Sequence, residues 1–361
     1  MFSLKKPELM KGILKLIFPG IIICLAWNYP YYNNAKDKFS NAKEWVKNAT
    51  KKYSPDSWDL LMQYESLPAK QEAEAVNGGI AATAKSVSTF YYLKGRSRID
   101  LLSSMAVNIH EIAHGYCGQN TFRYARKNGL KLDINKAEEF FYYSPARSFF
   151  ISFPLKSLFP SGELISDIPG NLRTFRFDPY IDGKTSTQGE GVIGLLNELH
   201  SYYLESKFCY EMLEPYKIAQ ESDASGFFEW VHNSQSKMTA YYEFDFFIRE
   251  YLLRMKRKYP SDYKELRNYR PFIEAYSAIR KSYEELINKY LQKINIEMAS
   301  LDASGKAEVN LENFELWVRE GNSDTSTGTP VFSADREIIM PVLESNRYRE
   351  INADFPNLRV K

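Results

Sequence analysis

From Arg96 to Asn128 the chain carries one long helical pattern, and inside it His110, Glu111 and His114 stand as His-Glu-x-x-His. At about 100° per residue, His114 lies about 40° round from His110 and one turn further on, so both imidazoles reach the same point in space. Glu111 lies about 60° from His114, near enough to touch a water at that point without itself binding a metal. Leu101, Leu102, Met105, Ala106, Ile109, Ile112, Ala113, Tyr116 and Cys117 all fall between about −180° and −20° of His110, on one apolar face. The helix must therefore bury that face in a core and hold its His/Glu group at the rim, beside a cleft. Gly129 is the residue that ends it.

A catalytic zinc needs three protein ligands and an open fourth position. Downstream, Gly194 to Ser201 reads Gly-Leu-Leu-Asn-Glu-Leu-His-Ser on a second helical stretch, Gly191 to about Tyr216. Together with His-Glu-x-x-His, this segment resembles the gluzincin zinc metallopeptidases, whose second helix carries a Gly-x-x-Asn-Glu-x-x-Ser-type run with the glutamate as ligand. The resemblance covers these two segments and not the whole chain. It implies one Zn2+ per chain held by His110, His114 and Glu198, with Glu111 as general base, on a zincin-like core.

Glu138, or its neighbour Glu139, is the rival third ligand at a shorter, more family-like spacing. The 84 residues from His114 to Glu198 are a long spacer for thermolysin-like enzymes. Those enzymes also place an Asp four residues after the ligand, where this chain has Tyr202. Tyr202, or Glu205 on the same face, is then expected to orient a ligand histidine. Gly194, one turn before Glu198, is expected to let the second helix approach the first. His232 lies where thermolysin-like enzymes carry an oxyanion-stabilising histidine, with Tyr241 and Tyr242 as competing donors and aromatic packing as their plainer role. His200, about 200° from Glu198 on its helix, points away from the metal. Cys117 reads as a small core residue, and an antiparallel pair of helices would carry it and Cys209 apart.

The first residues read as a targeting segment. Lys5, Lys6, Lys11 and Lys15 precede the uncharged run Leu16–Trp27, 12 residues broken by Pro19 and Gly20 and too short to span a bilayer comfortably. Residues 1–27 are thus expected to be a signal peptide or an N-terminal anchor, with a lipoprotein acylated at Cys24 as a third form. Export to the periplasm, cell envelope or medium follows, and membrane association is expected through this segment only. Without it the formal charge moves from +2 to −1, so no nucleic-acid partner is expected from bulk electrostatics.

Residues 28–54 read as a linker entering a helix near Asn41–Lys51, and 55–300 as the catalytic domain. Within it, 115–193 is a long insertion of short strands and loops that shapes the cleft. Ser86–Leu93, rich in β-branched and aromatic residues, reads as a strand before the active-site helix and as the edge on which an extended peptide adds. Thr239–Lys258 and 271–296 read as helices, with Arg254–Lys258 the solvated end of the first. Residues 301–361 form a C-terminal extension, with 321–330 a flexible linker before a short helical piece. The class is α+β, mainly α. The function expected is an exported zinc metallopeptidase, a hydrolase cutting peptide or protein substrates. The competing reading is a non-catalytic envelope protein of the same fold that binds a partner or a structural metal. Glu111 favours catalysis, because a structural metal site has no use for a carboxylate there.

Overall fold

A computed structural model describes residues 39–144, 147–183, 186–305, 307–320 and 326–355, all within one compact unit. The expected targeting segment, Cys24 included, lies outside the described residues. Helices dominate, so the molecule is α+β and mainly α. The first are α1 (Phe39–Tyr53) and α2 (Pro55–Ser66), followed by the hairpin β1 (Lys70–Glu74) and β2 (Ile80–Ala84). Then comes α3 (Arg98–Lys127), the helix that carries His-Glu-x-x-His.

The start and end of α3 are written in the sequence. Ser97 caps it: its hydroxyl accepts from the Asp100 N–H at 3.1 Å, while the Asp100 carboxylate accepts from the Ser97 N–H at 3.1 Å. At the other end Gly129 takes φ +63°, and the Leu130 N–H returns to the Ala125 carbonyl at 2.9 Å. A side chain at Gly129 would be strained in that conformation, so a glycine stop is the low-energy choice.

Ser86–Leu93 is not a strand. It folds as turns, with the Tyr91 N–H bonded to the Ser88 carbonyl at 3.0 Å and the Leu93 N–H to the Phe90 carbonyl at 3.2 Å. Asn108 on α3 then takes the backbone groups a neighbouring strand would have used, donating to the Thr89 carbonyl at 2.9 Å and accepting from the Tyr92 N–H at 3.2 Å. The small sheet that precedes α3 is the β1–β2 hairpin instead.

After α3 the hairpin β3 (Lys136–Ser144) and β4 (Arg147–Pro154) packs back on α3 through β3, and short helical turns between Leu155 and Asp182 and at Ser186–Glu190 precede α4 (Val192–Glu211). α5 (Leu213–Gln220), α6 (Asp223–Lys258), α7 (Pro260–Asn268) and α8 (Arg270–Ser304) follow. α6 is longer than its apolar pattern announced. It begins at the Ser222 cap, whose hydroxyl accepts from the Ser225 N–H at 3.2 Å. β5 (Ala307–Glu312), β6 (Glu315–Glu320) and β7 (Thr327–Pro330) form an antiparallel sheet, and α9 (Asp335–Leu343) and α10 (Arg349–Asp354) finish the described chain. Of the expected linker, 321–325 lie outside the described residues, and Thr327–Pro330 is a strand paired with β6. Val331, Phe332, Ile339 and Tyr348 join the same buried core as α3, α4 and α6.

α4 is the axis of that core, packed against α3, α6 and α8. A helix buried on all sides is normally apolar all round. α4 instead buries Asn197, Glu198, His200, Ser201, Glu205 and Ser206. Each needs a partner inside the protein, because a buried polar group without one is costly.

Candidate metal centre

Four of those six polar residues converge on the histidines of α3. His110 Nε2 and His114 Nε2 lie 3.1 Å apart, and Glu198 Oε2 lies 3.5 Å from the first and 3.3 Å from the second. Ligands of a tetrahedral ion at about 2.0–2.2 Å stand roughly 3.3 Å from one another, so the three separations fit a single bound ion.

The neighbours decide what these atoms can do. His110 Nδ1 faces Glu205 Oε2 at 3.1 Å, and His114 Nδ1 faces the Asn197 side-chain oxygen, with Ser201 Oγ at 3.3 Å. Both outer nitrogens have an acceptor close by, so a neutral imidazole here carries its proton on the outside and presents its Nε2 lone pair to the trio. Glu198 Oε2 is buried and has no hydrogen-bond partner among the described residues. Three acceptors thus meet with no donor between them. A single proton bridges two of the three; a divalent cation satisfies all three and balances the charges of Glu198 and Glu205. Two imidazoles and a carboxylate are a donor set that suits zinc.

The surroundings hold this arrangement. Glu198 Oε1 accepts from the Thr187 hydroxyl at 3.2 Å. Gly194 makes that contact possible: a Cβ there would fall 1.9 Å from the Thr187 carbonyl oxygen. The glycine therefore admits the 186–190 turn against α4, where the sequence reading had it serving the approach of α3. Tyr202 sets its ring edge-on to His110, centroids 4.4 Å apart, and its hydroxyl shares a hydrogen bond with that of Tyr180 at 3.0 Å. Glu205, not Tyr202, faces the His110 nitrogen. Burial opposes charge on both His110 and Glu198. The Glu198 and Glu205 carboxylates nevertheless hold His110 well above the usual histidine range, and the two imidazoles hold Glu198 well below the usual carboxylate range.

One side of the trio is open. The His114 side chain is 23% exposed, against 4% for His110 and 7% for Glu198. Glu111 is half-buried on the flank of the same helix, and no hydrogen bond or ion pair ties its carboxylate among the described residues. Its nearest electrostatic effect is on Tyr92, whose phenol is raised by burial first and by Glu111 second.

Other residues singled out in the sequence stand apart from the trio. Glu138 accepts from the Asp133 N–H and from the Ser152 hydroxyl, both at 2.9 Å. Glu139 is buried on β3, and burial and the neighbouring Glu190 raise its carboxyl well above the ordinary range, with Asn197 opposing. His232 is turned to Thr329 on β7 at 3.2 Å and lies parallel to Phe228. Tyr241 packs on Tyr283 and Tyr242 on Phe332. His200 is fully buried and bonds the Tyr142 carbonyl through Nε2, away from the metal side of α4. Cys117 and Cys209 are buried free thiols. Burial pushes Cys209 up to about 12. The sequence reading missed Thr187, Asn197 and Ser201 as supports of the site. The two on α4 were legible, since polar residues flanking a candidate ligand on a buried helix have to be paired with something. Thr187 had no such signal. In comparisons with known proteins, no family model matches the chain, and no curated protein or solved structure matches it significantly.

Proposed function

We propose that this chain is a zinc-dependent metallopeptidase of the gluzincin type, with His110, His114 and Glu198 as metal ligands and Glu111 as general base. The observation that carries the reading is the meeting of His110, His114 and Glu198 acceptor atoms within 3.1–3.5 Å of one another, with Glu111 half-buried on the same helix. When bound, a zinc ion supplies Lewis acidity, which polarises a carbonyl and makes water a nucleophile near neutral pH. Glu111 takes the proton of the attacking water and returns it to the leaving amine, so one carboxylate serves both halves of the hydrolysis. Glu205, Asn197 and Ser201 fix the proton on the outer nitrogen of each imidazole, and Thr187 fixes Glu198, so the ligands do not reorganise during the reaction. The substrate is a peptide or protein entering from the His114 side. The leader-like 1–27 supports export as the compartment. No helix among the described residues is long and apolar enough to cross a membrane.

The test is hydrolysis of a quenched-fluorescent peptide library by the zinc-loaded protein, beside Glu111→Gln. Loss of a base of this kind is expected to lower turnover by about 10²–10⁴ with zinc content unchanged. Turnover that survives Glu111→Gln, or that is untouched when a chelator strips the protein, would defeat the reading.

A further inference from the structure

The C-terminal end of α3 and the β1–β2 hairpin carry a surface that the metal centre does not use. The Val76 N–H donates to the Leu132 carbonyl at 2.9 Å and the Leu132 N–H to the Glu74 carbonyl at 2.8 Å, so the hairpin turn and the 130–134 segment run side by side. Four aliphatic side chains stand out from them: Val76 is 58% exposed, Ile80 66%, Leu130 42% and Ile134 85%. Single exposed aliphatics are ordinary, but four on two adjoining turns make a patch. Leu132 beneath them is buried against Ala73 and Ala125, so the crests rest on a small core of their own.

The charge around the patch is mixed and leans positive. Between residues 123 and 136 stand Arg123, Arg126, Lys127, Lys131 and Lys136, all exposed, against Asp133; the hairpin adds Lys70 against Glu72 and Glu74, and Glu74 meets Lys131 at 3.4 Å, which leaves six cations against three acids. Residues 28–361 carry a formal charge of −1, so this cluster is a local concentration. Aliphatic crests collared by cations match the headgroup region of an anionic bilayer, where the side chains enter the acyl boundary and the cations meet phosphates. Single-stranded nucleic acid would call for exposed stacking aromatics, whereas Tyr124, the aromatic beside these cations, is already stacked on Phe150 with centroids 4.7 Å apart. Protein hot spots favour Trp, Tyr and Arg anchors over Val, Ile and Leu crests.

We infer that this corner docks on an anionic lipid bilayer. It lies far in sequence from the 1–27 segment, to which the sequence reading confined membrane association. The test is co-sedimentation of the full chain with phosphatidylcholine vesicles, with and without phosphatidylglycerol. Wild type is compared with Ile80→Ser/Ile134→Ser and with Lys127→Gln/Lys131→Gln/Lys136→Gln. All five positions are exposed, and unchanged thermal midpoint and zinc content verify the fold. Residues 1–27 are common to every variant, so differences report the corner. Wild type is expected to bind the anionic vesicles about tenfold or more better than the neutral ones, with the gain shrinking as salt rises. The isoleucine pair is expected to lose about tenfold or more on anionic vesicles. The lysine variant is expected to lose the anionic preference. Equal binding of wild type and both variants would overturn the inference. So would an isoleucine variant that turns a dimer into a monomer while binding vesicles as before, which would make the corner a self-association face.

Discussion

Two of the buried polar clusters in this core differ in kind. At Asp245 both carboxylate oxygens are occupied: Arg249 Nε donates at 3.0 Å, Arg280 Nε at 3.1 Å and the Tyr276 hydroxyl at 2.6 Å. Burial opposes the charge, but Arg249 and Arg280 hold the carboxyl below its usual range. At His110, His114 and Glu198 the inner atoms are all acceptors, and the donors that fix them lie on the outside. In the first cluster the chain itself satisfies the carboxylate. The second would be finished by a bound cation, as proposed above. Four of the six polar residues buried on α4 serve the second cluster, and the first shows what the same chain builds when structure alone is wanted.

The comparison breaks most visibly at the closed cluster. Asp245→Ala leaves two guanidinium groups buried without their carboxylate and is expected to cost about 3–5 kcal/mol in urea unfolding. The folded fraction is expected to keep its zinc. A loss below about 1 kcal/mol would mean that the cluster is not closed in the sense argued here.

His200 sharpens the contrast, because it shares α4 with the open cluster yet bonds a backbone carbonyl, that of Tyr142, on the far side. Burial presses it down to about 4 from the ordinary 6.5. The folded state therefore keeps it neutral while the unfolded state takes up a proton, so its stabilising effect is whole above pH about 6.5 and is lost as pH falls towards about 4. The shift corresponds to about 3 kcal/mol. Urea midpoints followed between those pH values should fall more steeply for wild type than for His200→Gln, which still offers a donor to the Tyr142 carbonyl. Parallel pH curves would contradict a buried neutral imidazole.

The smallest effect is expected at the supports of the open cluster. Glu205→Gln leaves the three ligands in place and removes the charge behind His110. Zinc affinity by competition with a chromophoric chelator is expected to drop about 10–100-fold. An unchanged affinity would mean that the Glu205 contact, 3.1 Å in the folded protein, does not tune the ligand.

How much of this was legible in the sequence depended on how local the cause was. The α3 pattern was readable because helical spacing alone puts His110 beside His114 and an apolar face behind them. Ser97, Asp100 and Gly129 likewise act within a few residues of where they stand. Glu205 was readable as a residue two turns beyond Glu198 on one helix face. Ser86–Leu93 misled because β-branched and aromatic residues satisfy a strand propensity and a packed turn equally well, and Asn108, a residue on another element, decided between them. His232 was assigned by analogy with another fold's order, and here α6 turns it towards β7. Thr187 was out of reach for a different reason. Its contact with Glu198 depends on the absence of a Cβ at Gly194, and nothing in the local sequence says which backbone will fill that space.

The most direct test of the central claim is the zinc content of purified protein by mass spectrometry, for wild type, Glu198→Ala and Glu138→Ala. The account predicts about one zinc per chain in wild type, lost with Glu198→Ala and retained with Glu138→Ala, because Glu138 is already engaged by Asp133 and Ser152. Wild-type protein that holds no metal after zinc reconstitution, or zinc that survives Glu198→Ala undiminished, would contradict it.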